Sequence, residues 1–218
     1  MEVTGRVAEP LREPSAAAAE RKRELRRQLM SARLDAARLA AGPAGDAARL
    51  AAAAVGFFTQ RGWPASVAVY LSIGSEPGTR PLIEALAERG ARVIVPVLQP
   101  DGDLDWARYR PGSELTAGSR GTIQPTSATL GVDAICDVDV LFVPALAIDR
   151  AGRRLGRGAG CYDRVLARVR AADASALVLG VVHDDELVDD LPFEPHDQLV
   201  DGVLRPAGLA LFARDTPS

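Results

Sequence analysis

Apolar positions recur along this chain with two periods, and each period predicts a kind of element. Leu25 and Leu29 stand four apart in a stretch from Glu20 to about Ala41 that holds few helix breakers, and an alanine-rich face runs through Asp46 to Gln60. The spacing predicts two more helices, Arg80 to Arg89 and Tyr162 to Ala172. Short β-rich runs fall between and after them: Val67 to Leu71, Val93 to Val97, Leu104 to Tyr109, Val138 to Val143, Leu177 to Val182, Val203 to Pro206 and Leu209 to Phe212. Punctuation supports these boundaries. Gly42, Pro43 and Gly45 separate the first two helices, Thr79 stands as an N-cap with Pro81 in the first turn, and Gly90 is placed to end the third helix.

Two helices followed by alternating strands and helices predict an α/β fold: a three-layer, Rossmann-like sandwich with a mostly parallel central sheet and helices on both faces. Ligands of such sheets gather at the carboxyl ends of the strands, where the loops after Leu71, Val143 and Val182 open together. No repeat or low-complexity linker divides the chain, so residues 20–214 are expected to form a single domain, with 1–19 a flexible N-terminal tail.

Composition narrows the function classes. At 218 residues and 47% hydrophobic content the chain can bury one substantial core, and its net charge of −3 argues against a dedicated nucleic-acid binder. The first residues lack a secretory pattern and no run reaches membrane-span length, so a cytoplasmic protein without membrane partners is expected. Cys136 and Cys161 form no disulfide framework or zinc pattern.

The stretch Pro144 to Arg164 carries the densest chemistry. It links a buried strand to a helix, and holds Gly152, Gly156, Gly158 and Gly160 with Arg153, Arg154 and Arg157 among them. Glycines let backbone N–H groups approach a ligand, and a helix N-terminus favours an anion, so a phosphate site is expected here. The glycine offsets fit neither the P-loop nor the dinucleotide fingerprint. Taken alone they leave open a flexible basic surface loop. Asp163, an acid at the helix start, is an oxygen ligand suited to magnesium. Elsewhere, Lys22, Arg26 and Arg33 share one side of the first helix, a stripe that a solvated face also explains. Glu76 reads equally as an exposed loop acid, and Trp106 as core packing or an aromatic plate for a flat ligand. His183-Asp184-Asp185-Glu186 reads as a solvated strand end, and His196, without further context, as a turn residue.

Asp149, Gly152, Arg154-Leu155-Gly156, Gly158, Gly160 and Tyr162-Asp163-Arg164 together resemble the ATP-binding motif of the 5-formyltetrahydrofolate cyclo-ligase family. Lys22-Arg23-Glu24-Leu25-Arg26 is similar to the family's early basic helix, and Pro195-His196-Asp197 to its late acidic segment. The resemblance runs in ordered segments from Lys22 to about Asp201. It implies ATP-dependent closure of 5-formyltetrahydrofolate to 5,10-methenyltetrahydrofolate by a monomer acting on a small molecule. It further implies an ATP site formed by Lys22, Arg23, Glu24, Leu25, Arg26, Arg154, Leu155, Gly156, Arg157, Gly158, Ala159, Gly160, Cys161 and Tyr162, with Lys22 and Arg157 catalytic. Leu71, Glu76, Trp106, Arg157 and Tyr162 would meet the folate, and Asp163 and Asp197 would hold Mg2+. Three positions depart from the family pattern: Gln124 stands where an acid is usual, Ala159 where Lys or Gly is found, and Cys161 where an aromatic residue is common. Gln124 and Ala159 keep open a catalytically weak folate- or nucleotide-binding protein of the same fold. A sugar-phosphate isomerase or acyl-transfer enzyme of related architecture is the other alternative.

Overall fold

The computed structural model describes residues 16–39, 44–194 and 197–213. Helices α1 (Ala16–Leu39) and α2 (Ala44–Arg61) lead into β1 (Ser66–Val69), α3 (Arg80–Glu88), β2 (Arg92–Leu98), β3 (Leu104–Arg108), β4 (Leu115–Ala117), β5 (Ile123–Pro125) and β6 (Val140–Pro144). After these come β7 (Ala147–Asp149), β8 (Arg154–Leu155), α4 (Cys161–Ala171), β9 (Leu177–Val181), β10 (Leu187–Val188), β11 (Gly202–Arg205) and β12 (Gly208–Leu211). His196, Gly42 and Pro43 lie outside the described residues, as do the first fifteen of the expected tail.

The main sheet has the order β12-β11-β9-β6-β1-β2-β3. Its five inner strands pair in parallel, and the two edge strands, β3 and β12, turn back antiparallel on β2 and β11. Side chains alternate across this sheet and so feed two cores. Val67, Val69, Phe142 and Val181 face α2 and α3 through Leu50, Phe58, Leu82 and Leu86. Ala68, Leu141, Val143 and Val178 face α4 through Val165, Leu166 and Val169. The strands buried on both faces are the near-continuous apolar runs of the sequence, as parallel strands require.

Helix α1 departs from this scheme. It rests on the small sheet β10-β7-β8, where Leu25 and Leu29 pack against a cluster of Ala147, Leu155 and Leu191. Gly180 on β9 lets that sheet seat against the main one, because a Cβ there would collide with the Ile148 side chain. The four-residue Leu spacing therefore identifies the packed stripe of α1 while leaving its position in the fold to tertiary contacts.

Three expectations are corrected in detail. The glycine-rich stretch after β6 is not one continuous loop, because its first half folds into the antiparallel pair Ala147↔Leu155 and Ile148↔Arg154. Thr79 precedes α3 but makes no capping bond; its hydroxyl donates to the Tyr70 carbonyl (2.6 Å) and accepts from the Ser72 N–H (3.1 Å), closing the base of the loop after β1. Trp106 is 0% exposed within the core on the α4 side of the sheet, because it sits two residues further from the carboxyl edge than Leu104 on the same face of β3 and packs with Ile135 and Val138.

Candidate functional site

A cavity of ≈ 690 Å³ opens at the carboxyl edge of the main sheet. That is within the range of small-molecule sites, and it lies where α/β sheets place them. Its lining carries seven cationic side chains, Lys22, Arg26, Arg33, Arg120, Arg154, Arg157 and Arg164, against the carboxylates Glu76, Asp163, Glu194 and Asp197. The excess of positive charge suits an anionic ligand.

One wall is the end of the glycine-rich segment and the start of α4. Gly160 precedes α4 with φ +70°, and Gly158 has φ +99°, a left-handed conformation that other side chains adopt only with strain. An added Cβ at Gly158 would also touch the Arg26 guanidinium, at 3.5 Å from Nε. Gly152 serves a different purpose, because it sits in the β7–β8 turn where a Cβ would meet the Val200 carbonyl at 2.5 Å, outside the cavity. Arg154 donates to Asp163 Oδ1 at 2.5 Å, and its Nε is buried with no partner among the described residues. A guanidinium on this wall presents paired N–H donors of the kind that suit an oxyanion.

Helix α1 supplies the roof. Lys22, only 5% exposed, places Nζ 2.5 Å from Glu194 Oε2 and 2.6 Å from Asp197 Oδ2. Arg26 donates through Nε to the Gly156 carbonyl at 2.9 Å. Arg33 bonds both oxygens of Glu186 and the Ala145 carbonyl, with Arg33 and Glu186 both buried. The basic stripe is therefore a docked face rather than a solvated one, and Glu186 is part of the lock rather than a strand-end surface acid. Sequence reasoning missed that ion pair; its available signal was the placement of Arg33 on the same helix side as Lys22 and Arg26. The expected ATP contacts from Arg23, Glu24 and Leu25 are corrected as well. Successive residues point about 100° apart on a helix, which turns Arg23 and Glu24 outward to pair with Glu20 and Arg27, and Leu25 down into the small core.

The opposite wall is apolar around a single acid. Leu71, Pro96, Leu98, Leu104 and Ile123 line it, with Tyr70 and Tyr162 beside them. Glu76 accepts the Ile73 N–H at 2.9 Å and faces Arg157 Nη1 at 3.5 Å, with its side chain 9% exposed. Burial raises its pKa above the usual glutamate value of 4.5, only partly offset by the Ile73 N–H and by Arg157. Burial, with the nearby Glu76 charge, likewise pushes both tyrosine hydroxyls upward, so both are neutral donors at physiological pH. The half-buried His183 touches the Ser75 carbonyl through Nε2 at 3.1 Å, tying the loop after β9 to the loop that carries Glu76.

Leu155, Gly156, Ala159, Gly160, Cys161 and Asp163 also line this cavity, whereas Gln124 does not. Among the described residues no group of three His, Cys, Asp or Glu side chains comes together as a metal cage, and no helix is long and apolar enough to cross a membrane.

Known proteins resemble this chain in sequence and in fold. The 5-formyltetrahydrofolate cyclo-ligase of Mycolicibacterium smegmatis is 47% identical over 146 residues, which cover 65% of this chain and 73% of that protein. The Escherichia coli K12 protein of the same name is 38% identical over 144 residues, covering 65% of this chain and 78% of its own. Among solved structures, the Aquifex aeolicus 5,10-methenyltetrahydrofolate synthetase superposes with a TM-score of 0.69 at 25% identity, over 90% of this chain and 95% of that one. The model of the 5-formyltetrahydrofolate cyclo-ligase family matches residues 18–206, from the first turns of α1 to the end of β11, and the chain is therefore an enzyme belonging to that family.

Proposed function

We propose that this enzyme closes 5-formyltetrahydrofolate to 5,10-methenyltetrahydrofolate with consumption of ATP in the presence of magnesium. The observation that carries the proposal is the approach of Arg157 to Glu76, 3.5 Å apart, at the seam between the cationic wall and the apolar wall. A phosphate donor held on one side and a pterin held on the other would meet there.

A formyl amide is a poor electrophile because its nitrogen lone pair is delocalised into the carbonyl. Transfer of the γ-phosphoryl group to the formyl oxygen forms a P–O bond, breaks the bond to the β-phosphate and releases ADP. The second folate nitrogen then attacks the activated carbon, loses its proton to solvent, and the C–O bond breaks as phosphate departs. The protein's part is alignment and neutralisation of charge. Lys22, Arg26, Arg154 and Arg157 meet the phosphates, and Gly158 and Gly160 keep the backbone N–H groups within reach. Glu76 accepts from the pterin amino and ring N–H groups, while Leu71 and Tyr162 bound the ring. Arg157 stands nearest to the transferring group and stabilises its developing charge.

Asp163 and Asp197 would hold the magnesium ion. Each is already a cavity-lining carboxylate ion-paired to a cation of the site, Asp163 to Arg154 and Asp197 to Lys22. Two carboxylates complete a magnesium shell only with phosphate oxygens and water, which is the usual way this ion accompanies a nucleotide. When bound it would supply neutralisation and orientation of the phosphates.

The test is to mix enzyme, 5-formyltetrahydrofolate, ATP and magnesium and follow the methenyl chromophore together with phosphate release. Chromophore and phosphate are expected to appear in equal amounts. Phosphate release indifferent to folate, without chromophore, would replace this reading with a catalytically weak nucleotide-binding protein.

A further inference from the structure

Along the carboxyl edge of the sheet, the cavity groups follow strand order. The glycine-rich wall follows β6, Glu76 follows its neighbour β1, Pro96 and Leu98 end β2, and Leu104 begins β3. The β4–β5 hairpin packs on β2 and β3 at this end and contributes Arg120, Thr122 and Ile123. At about 4.8 Å between neighbouring strands, β6 and β3 lie roughly 14 Å apart, the reach of an extended ligand.

Arg120 stands out on two independent grounds. Its backbone is left-handed, with φ +52° and ψ 29°, in the turn that joins the hairpin. Gly121 beside it also has positive φ, and turns of this kind favour Gly, Asn or Asp. Arginine has no local reason to occupy the position, so its side chain is the reason to examine. That side chain lines the cavity and makes no hydrogen bond or ion pair with any described residue. The neighbouring Arg164 differs, because it donates to the Gly102 carbonyl and lies 4.0 Å from Asp103.

We infer that Arg120 recognises a carboxylate of the substrate's glutamyl tail and thereby discriminates glutamate-bearing folates from the bare pteroate framework. The inference rests on the folate reading above. With the pterin at Glu76, the aryl group of such a substrate runs along Leu98, Leu104 and Ile123, and its glutamyl carboxylates emerge beside Arg120. A guanidinium presents paired N–H donors that match a carboxylate.

The experiment compares 5-formyltetrahydrofolate with 5-formyltetrahydropteroate, which lacks the glutamate, on the unaltered enzyme and on Arg120→Gly and Arg120→Lys. Glycine suits the left-handed turn, so Arg120→Gly is expected to keep or raise thermal stability. Its kcat/KM for the glutamate-bearing substrate should fall about tenfold, mainly through KM, with less than a twofold change for the pteroate and for the KM of ATP. Arg120→Lys should recover part of the loss. Equal losses on both substrates, or no loss on either, overturn the assignment. Equilibrium binding of the two folates without ATP separates this inference from the proposed reaction. Tighter binding of the glutamate-bearing ligand, lost in Arg120→Gly, would uphold the tail site even if no methenyl product formed, and equal binding of both ligands by the unaltered enzyme would refute it.

Discussion

The two walls of the cavity are built in opposite ways. On the phosphate side, each charge that α1 brings is held by a residue far away in the chain: Lys22 by Glu194 and Asp197, Arg26 by the Gly156 carbonyl, Arg33 by Glu186. On the folate side, the essential acid is placed by its own loop. Glu76 is fixed through the Ile73 N–H three residues earlier, and that loop is closed by Thr79 on Tyr70 and Ser72. The charges of α1 reach the site only when that helix docks, whereas Glu76 is set by one strand–loop–helix unit. Damage to the phosphate wall should therefore spread into stability, and damage to the folate wall should stay in recognition.

The sharpest way to break this contrast is Lys22→Ala. It removes the cation between two carboxylates in a nearly dry setting, where loss of one partner of a buried ion pair costs about 3–5 kcal/mol. Denaturant unfolding should show most of that loss, and ATP titration should show a raised dissociation constant, since the ammonium also serves the phosphates as a point charge. Unchanged stability would mean that α1 docks without help from the Lys22 ion pairs.

Glu76→Gln tests the other wall. Folate binding should weaken by about 1–3 kcal/mol, because a donor replaces an acceptor and leaves a pterin N–H unmatched, while ATP binding stays the same. Stability should move the other way. The folded pKa of Glu76 lies above 4.5, so between that value and the raised one the folded chain binds more protons than the unfolded chain, and stability falls as pH rises through the window. Glu76→Gln should abolish that dependence and leave the free enzyme slightly more stable at neutral pH, while in the unaltered enzyme folate affinity should decline as pH falls toward the raised pKa. Equal weakening of both ligands in calorimetric titrations would show that the walls are not independent.

Asp163→Asn should lower turnover at least about tenfold, roughly 1.4 kcal/mol, at subsaturating magnesium. Normal turnover under that limitation would reduce Asp163 to a partner of Arg154. Cys161→Ala should have the smallest effect, within about tenfold of normal turnover, or less than about 1.4 kcal/mol, because phosphoryl transfer to substrate oxygen needs no thiol. The half-buried thiol begins α4 on the cavity lining, so alkylation should still inhibit and ATP should protect. A thousandfold loss in Cys161→Ala with both ligands still bound would point to a covalent mechanism.

Much of this could be read from the chain before any contact was known. The apolar runs at Val138 to Val143 and Leu177 to Val182 appear as inner parallel strands, and the glycine-rich segment with Asp163 lies on the cavity lining. Trp106 was ambiguous in the sequence because an aromatic residue on a strand serves core and ligand equally well, and only its depth along β3 separates the two, since Leu104 on the same face lines the cavity. Arg120 carried no sequence signal, since an arginine in a turn is ordinary until its backbone conformation and its lack of partners are known.

What the sequence determined by itself is what depends on local physics: the alternation of apolar runs, the breakers between them, and the glycines and acid at the start of α4. What only the tertiary structure decided is the meaning of the charges. The stripe of Lys22, Arg26 and Arg33 is the same pattern whether it faces water or a cavity. A charge's role depends on its dielectric surroundings and its partners, and these partners lie more than a hundred residues away and are brought within hydrogen-bonding reach only by the fold.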